Sequence, residues 1–271
     1  MSLGARGTNP VTDMTYEPHP SCDIETRTTS PRTGPVTPRA PAPLSGAPPF
    51  TPPLGSSASR RIVVPRKGSL RGALVTRGEH RRVIVFESEL EHKVLLVLLA
   101  RPDVVEVREQ VAPVTYRDAD GVERQHRFDF LVRRRDGQRI LVAVKPWEIA
   151  LAHDLDDLVR RIARHVPRAL ADRATWMSER DVPRDAVFNA SLIHCVRADG
   201  IPEHDKVVED IASTLVGTTT VACLVAASGL AGDGFRAVVR LVDRGLLRII
   251  GNGRLDYGTK IERTTGPGSR P

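Results

Sequence analysis

The fold is decided by residues 128–145, whose sequence is FDFLVRRRDGQRILVAVK. Apolar and polar side chains alternate on both sides of Asp136-Gly137, which is typical of two β-strands joined by a turn. We predict the strands over residues 124–134 and 139–145, so that successive side chains point to opposite faces of a sheet. The rest of the chain is assigned outward from this pair.

The length of the connecting loop determines which side chains meet. With a three-residue loop over 135–137, residue 129 faces residue 143, so Asp129, Ala143 and Lys145 share one face. With a two-residue loop, Lys145 would point to the opposite face. A site that contains both Asp129 and Lys145 requires the three-residue loop, and a type I turn with a bulge permits it. We therefore predict this loop, with Gly137 in the left-handed conformation.

The flanking segments complete an αβββαβ order. Residues 88–100 begin with a capping serine, carry an apolar stripe and end before Pro102, so they are predicted to form a helix. The other elements are predicted as a strand over 104–117, a helix over 148–166, a strand over 174–177 and a helix over 186–197. The expected class is mixed α/β (α+β).

The two ends of the chain differ in composition from its middle. Twelve of the 21 prolines lie in the first sixty residues, without hydrophobic periodicity. Such a segment cannot bury a core, so residues 1–59 are predicted to be a disordered, proline-rich arm. Folded domains are predicted over 60–200 and 201–263, followed by a disordered tail over 264–271.

The second domain is predicted to contain three helices and a hairpin. The helices cover 205–215, 220–229 and 233 to about 246, and the hairpin strands cover 246–250 and 254–257. Three helices followed by a hairpin are typical of a winged helix, a variant of helix-turn-helix.

Arginines recur every four residues on the third of these helices. Arg236, Arg240 and Arg244 lie opposite an apolar side, as in a DNA recognition helix, and Arg254 lies in the hairpin. These four are candidate DNA contacts, although a solvated charged face or a protein-docking surface is equally compatible with the spacing.

The composition limits the partners. The formal charge is +7, and 35 of the 40 basic residues are arginine, which favours a polyanionic partner such as DNA. No apolar run approaches the roughly 20 residues that span a bilayer, and no secretory signal is present, so we expect a cytoplasmic protein without membrane association. The glycines at 229, 232 and 234 follow no strand, so no nucleotide cofactor is expected.

Glu91, Asp129 and Lys145 are the candidates for chemistry. Hydrolysis of a phosphodiester is assisted by a divalent cation, and hard cations bind carboxylate oxygens. Asp129 stands between two phenylalanines in a strand, where its poor β-propensity favours a functional reason. Glu91 also has a structural interpretation, because Ser88 and Glu91 form a capping box in which Glu91 reaches back to the Ser88 amide. Lys145 could equally be a solvated strand end. His126 is placed on the face opposite Asp129, where packing is expected.

Four segments together resemble the pattern of the TnsA transposon endonucleases, which belong to the PD-(D/E)XK superfamily: 86–91, Gln110, 127–130 and 142–146. The resemblance covers most of residues 60–197 and implies a restriction-endonuclease-like core and a bacterial DNA endonuclease. It implies Mg²⁺ or Mn²⁺ held by Glu91, Asp129 and the Val144 carbonyl, with Lys145 assisting water attack. Glu87, Glu89 and Gln110 are auxiliary candidates, and a transposase and an ATPase regulator are the implied partners.

One position departs from the family pattern. The superfamily usually has Glu, Asp or Gln two residues before the lysine, whereas this chain has Ala143. A second hypothesis is therefore a weakened or inactive nuclease fold that binds DNA or acts as a scaffold. A third is a stand-alone restriction or repair nuclease.

Overall fold

The computed structural model describes residues 51–59, 70–76, 81–197 and 200–264, which form a mixed α/β fold with several sheets. In this part of the chain the strands are β1 Gly72–Val75, β2 Val83–Phe86, β3 Val104–Glu109, β4 Val114–Arg117, β5 Glu123–His126, β6 Phe130–Arg134, β7 Arg139–Val144, β8 Arg173–Met177, β9 Thr218–Thr220, β10 Leu247–Ile250 and β11 Lys260–Arg263. The helices are α1 Glu89–Ala100, α2 Trp147–Ala152, α3 Leu155–Ala163, α4 Arg184–Val196, α5 Pro202–Ser213, α6 Val221–Ser228 and α7 Ala231–Asp243.

A four-stranded sheet with the order β3-β6-β7-β8 lies at the centre. Its first three strands are antiparallel neighbours, and β8 runs parallel to β7. Between β6 and β7, Phe130 pairs with Val142 and Arg133 with Arg139, which places 129 opposite 143. Gly137 has φ of 86° in the connecting loop. The predicted three-residue loop and its register are confirmed.

The two faces of this sheet belong to different cores. Even-numbered residues of β6 and β7 pack with α1, as in the group Phe130, Val132, Val142, Val144, Val94, Leu95 and Leu98. Odd-numbered residues pack with α2 and α3, as in the group Leu131, Leu141, Ala143, Ala150, Val159 and Ile162. The side chain at 143 therefore lies on the face that α3 covers, because successive strand residues alternate between faces.

Three predicted elements are each divided in two. The strand over 104–117 breaks at Gln110, whose φ is 45°, and the strand over 124–134 breaks between His126 and Phe130. The reason is that β4 and β5 leave the central sheet and pair with each other. The helix over 148–166 breaks at Asp154, which has φ of 43° and caps α3 through Asp157. By contrast, α1, β8 and α4 lie within two residues of their predicted bounds.

The C-terminal segment contains α5, α6 and α7 with a small sheet of order β10-β11-β9. The predicted second hairpin strand, 254–257, is wrong because β10 pairs with β11 instead. Residue Leu255 is buried in the intervening loop, and its amide donates to Asn189 Oδ1 on α4 at 2.7 Å. The Leu255 amide, which a tight hairpin would have paired with the opposite strand, thus bonds to α4 instead.

Residues 51–59, which the sequence assigns to the disordered arm, instead contact the fold. Ser56 Oγ and the Ser57 amide donate to the buried Glu109 carboxylate at 2.5 and 3.0 Å. A buried carboxylate requires such donors, and this serine-rich segment supplies them. The remainder of the predicted arm, the basic stretch over 60–69 and the tail from 265 lie outside the described residues. No helix in the described ranges is both long and apolar enough to cross a membrane.

Candidate active site at the end of the central sheet

Asp129 lies where the chain enters β6, and its carboxylate replaces part of the strand ladder. Its Oδ2 accepts a hydrogen bond of 2.7 Å from the Val144 amide. Its own amide donates to the Val142 carbonyl at 3.0 Å, and its carbonyl accepts from the Gln110 amide at 2.7 Å. Among the described residues, none donates a hydrogen bond to Oδ1. The hydrogen bond from the Val144 amide thus fixes the position of the carboxylate.

The surroundings of Asp129 disfavour its negative charge. Burial raises the pKa of Asp129 to about 6, and the Glu91 and Glu87 carboxylates act in the same direction. The Val144 amide and the Lys145 ammonium oppose this rise in pKa. The structure therefore brings Glu91 and Lys145 within electrostatic reach of Asp129, and a bound cation would favour the ionised Asp129 carboxylate.

Glu91 is buried at the start of α1 and takes part in capping. Its Oε2 accepts from the Glu87 amide at 2.8 Å, and its Oε1 accepts from Ser88 Oγ at 3.0 Å. Ser88 Oγ in turn accepts from the Glu91 amide at 3.1 Å. The capping interaction is as predicted except that Glu91 reaches the amide of Glu87 rather than that of Ser88. Each carboxylate oxygen retains a further lone pair.

Lys145 follows β7 directly and is exposed. Its amide donates to the Met177 carbonyl at 3.1 Å, which fixes the ends of β7 and β8 together. Burial lowers the pKa of His126, and the Lys145 ammonium group lowers it further. His126 is therefore close to Lys145, and its Nε2 is buried without a hydrogen-bond partner in the described structure.

The predicted placement of His126 opposite Asp129 does not hold. The prediction counted 126 and 129 along one continuous strand, whereas the chain bends between β5 and β6. Alternation of faces applies only within an unbroken strand. The bend brings the imidazole toward the end of β7, and no sequence signal marked it.

Ala143 is the position at which the resemblance lacks a ligand. It is 1% exposed and packs in the apolar group that contains Phe128, Leu141 and Ala150. No group of three or more His, Cys, Asp or Glu side chains is arranged to hold a metal ion within the described ranges. The oxygen donors Asp129, Glu91 and the Val144 carbonyl suit a hard cation such as Mg²⁺, and water would complete its coordination.

The three auxiliary candidates, Glu87, Gln110 and Glu89, lie in different environments. Glu87 lies 3.9 Å from the Arg71 guanidinium and is close enough to raise the pKa of Asp129. Gln110 is buried and holds Asp129 through its backbone. Glu89 instead forms an exposed ion pair of 2.7 Å with Lys93, because it lies on the solvent side of α1. The expectation that Glu89 reaches the site is therefore wrong.

The arginines of α7 do not form a row of fully exposed side chains. Arg240 is only 7% exposed; its Nε donates to Asp205 Oδ1 at 2.7 Å, and its Nη2 lies 2.6 Å from the same oxygen. Arg244 lies 3.5 Å from Glu209, and Arg236 is half-buried. The expectation of a DNA-contacting Arg240 is wrong because α5 covers this side of α7.

Arg254 also has a partner inside the protein. Its Nε donates to Asp185 Oδ1 at 2.8 Å, and its guanidinium lies 4.8 Å from the centre of the Phe188 ring. Both partners belong to α4. Arg254 therefore holds the loop between β10 and β11 against α4, although half of its side chain remains exposed.

A basic surface that the sequence did not mark lies on α3 and β4. Arg117, Arg160 and Arg164 line a cavity of about 520 Å³, and the other charged or titratable side chains that line it are Arg161, His165, Asp118 and Asp157. None of these three arginines forms an ion pair with another described residue, whereas the neighbouring Arg161 pairs with Asp157 at 2.6 Å. The spacing of 160, 161 and 164 on one helix was the available signal, but Arg117 joins them only in the folded chain.

Comparison with known proteins provides no relative, since no protein-family model matches the chain and no curated protein matches it. What the site does must therefore be inferred from its own geometry and chemistry.

Proposed function

We propose that this protein is a divalent-cation-dependent DNA endonuclease that hydrolyses phosphodiester bonds at Asp129, Glu91 and Lys145. The observation that carries the proposal is the pairing of β6 with β7, in which Asp129 shares a face with Lys145 and, among the described residues, only one of its carboxylate oxygens accepts a hydrogen bond. Carboxylate oxygen beside an ammonium group is the combination that phosphodiester hydrolysis with a hard cation requires.

The proposed role of each residue follows from its position. Mg²⁺ or Mn²⁺, when bound to Asp129, Glu91 and the Val144 carbonyl, would polarise the phosphate and lower the pKa of a water. Above about pH 6, Asp129 is ionised and can bind a cation. Lys145, exposed at the strand end, orients the attacking water or stabilises the charge that develops on the phosphate as the P–O bond to the leaving oxygen breaks.

The order of elements supports a finer assignment of the fold. The sheet β3-β6-β7-β8, with α1 on one face and α3 on the other, supports a restriction-endonuclease-like PD-(D/E)XK core. The succession of α5, β9, α6, α7, β10 and β11 supports a winged helix. Together with the motifs around Glu91, Asp129 and Lys145, these features support a TnsA-like transposition subunit that works with a transposase and an ATPase regulator.

The proposed DNA-binding surface includes α3 rather than α7. Arg117, Arg160 and Arg164 have no carboxylate partner in the described ranges, and α3 covers the sheet face that carries Ala143. Unpaired guanidinium groups bind phosphate without first breaking an internal ion pair, so they contribute more to affinity. The buried Arg240 of α7 would have to give up Asp205 to do the same.

A second candidate function is a scaffold that binds DNA without cutting it. It is favoured by Ala143, whose apolar surroundings exclude a third carboxylate at this position. It is also favoured by the capping hydrogen bonds that already engage both oxygens of Glu91.

Nicking of supercoiled plasmid with Mg²⁺ or Mn²⁺ distinguishes the two. The endonuclease proposal expects nicking by the wild type and a loss of at least about 100-fold in Asp129→Ala and in Lys145→Ala. Arg135→Ala is the matched control, because it removes an exposed charge at the opposite end of the β6–β7 pair and should nick normally. If the wild type and both site variants are equally inert while DNA binding persists, the scaffold is the correct function.

A further inference from the structure

Both tryptophans of the chain lie at the same end of the central sheet as Lys145. Trp147 begins α2, two residues after Lys145, and Trp176 lies near the end of β8. Their ring centres are 5.7 Å apart. Trp176 Nε1 donates to Asp156 Oδ1 at 2.7 Å, so one ring of the pair is fixed to α3. These half-buried indoles form a rigid surface beside the candidate site.

Arg180 lies on this surface. Its guanidinium carbon is 3.9 Å from the centre of the Trp147 ring. The neighbouring Glu179 accepts from the Trp147 amide at 3.0 Å instead of pairing with the arginine. In the described part of the chain no carboxylate forms an ion pair with Arg180. An exposed guanidinium is thus stacked on an aromatic ring without a counter-charge.

The turn that carries Arg180 is itself held in place. The Ser178 amide donates to Asp181 at 2.8 Å, and the Arg180 amide donates to Ser178 Oγ at 3.2 Å. The Lys145 amide donates to the Met177 carbonyl, so the ends of β7 and β8 are paired. Lys145 directly follows β7, and the turn that carries Arg180 directly follows β8. Two cations are therefore presented at the same edge of the sheet.

We propose that Arg180, stacked on Trp147, binds a backbone phosphate of the DNA strand next to the phosphate that is attacked at Lys145. The proposal deepens the nuclease function and rests on it for the position of the attacked bond. A guanidinium that stacks on an aromatic ring keeps its N–H groups directed outward for bidentate contact with phosphate. The stack also lowers the entropy lost on binding, because the side chain is already ordered.

The test is the affinity for a fluorescein-labelled DNA duplex, measured by anisotropy over a series of salt concentrations with EDTA present. Arg180→Ala is expected to weaken binding about 5- to 10-fold at low salt and to reduce the slope of log K against log salt by about one. Trp147→Leu should lose much of the same affinity although Arg180 remains, whereas Trp147→Phe should keep most of it.

Arg135→Ala serves again as the matched loss of one exposed arginine and should leave the affinity and the salt slope unchanged. Thermal unfolding of each variant checks that the fold is retained, and Arg180→Lys, which keeps the charge but not the bidentate geometry, should bind with intermediate affinity. The proposal is overturned if Arg180→Ala binds like the wild type, or if Arg135→Ala loses as much affinity as Arg180→Ala.

Binding without metal separates this inference from the proposed catalysis. If the wild type fails to nick plasmid but Arg180→Ala still binds DNA more weakly, the phosphate site stands and the nuclease activity does not. If the wild type nicks plasmid and Arg180→Ala binds normally, only the phosphate site is lost.

Discussion

Asp129 and Arg240 are both charged side chains that are largely withdrawn from water, yet their environments are opposite. Arg240 makes two short contacts with Asp205, so its charge is neutralised inside the protein. Burial, together with the nearby Glu91 and Glu87 carboxylates, raises the pKa of Asp129 to about 6, although one backbone amide donates to it. A buried charge with a matched partner is neutralised within the protein and is costly to strip of that partner, whereas one without a matched partner is a candidate for binding a ligand.

The largest expected effect breaks the Arg240–Asp205 pair. Arg240→Ala should lower the free energy of unfolding by about 3–5 kcal/mol, because the largely buried Asp205 loses its nearest cation and keeps only the longer contact of 3.8 Å with Arg244. Urea denaturation measures the loss. Arg248→Ala, which breaks the exposed pair with Glu262 on the small sheet, should change stability by about 0.5 kcal/mol or less. If Arg240→Ala were as stable as the wild type but bound DNA more weakly, the result would show that Arg240 contacts DNA.

Ala143→Glu tests the apolar side of the Asp129 site. Without metal it should lower the free energy of unfolding by about 2–4 kcal/mol, because a carboxylate enters the packed group around Phe128 and Leu141. Mn²⁺ should restore part of this loss, with a rise in Tm greater than that of the wild type. Ala143→Met, of comparable size, should be destabilised without recovery in Mn²⁺. Equal behaviour of the two variants would show that no cation reaches residue 143.

Asp129→Asn should make the metal-free protein more stable at pH 8, by about 1–3 kcal/mol. The folded pKa of about 6 is above the ordinary value of 3.8, so the wild type loses stability as the pH rises from about 4 through 6. The amide keeps an acceptor for Val144 and removes this loss, so the gain should be absent at pH 4. Denaturation at several pH values measures it, and a gain that does not depend on pH would contradict the raised pKa.

The smallest effect concerns Glu91, where capping and metal binding compete as explanations. Glu91→Ala should cost about 1 kcal/mol of stability through loss of the cap, whereas Glu91→Gln should cost less because its carbonyl oxygen still accepts a hydrogen bond. If Glu91 is also a ligand, both variants should lose nicking activity to a similar extent. Normal nicking by Glu91→Gln would leave Glu91 with the capping role alone.

Local sequence patterns were sufficient for several features. The capping serine and the stop before Pro102 located α1. Asp136 and Gly137 located the turn, and the requirement that Asp129 and Lys145 share a face selected the register that the structure confirms. These features depend on residues close in the chain and on the alternation of a short strand pair. Patterns of this kind do not depend on what the element packs against.

The positions of Arg240 and His126 were decided only by the tertiary structure. A spacing of four residues shows that arginines share one side of a helix, but not that α5 covers that side with Asp205. The alternation of a strand likewise says nothing about a bend that carries β4 and β5 out of the central sheet. Within each unbroken helix or strand, the sequence by itself determined which residues lie on a common face. Only long-range packing decided where a strand bends and whether a face meets water, another helix or the candidate site, because burial depends on residues distant in the chain.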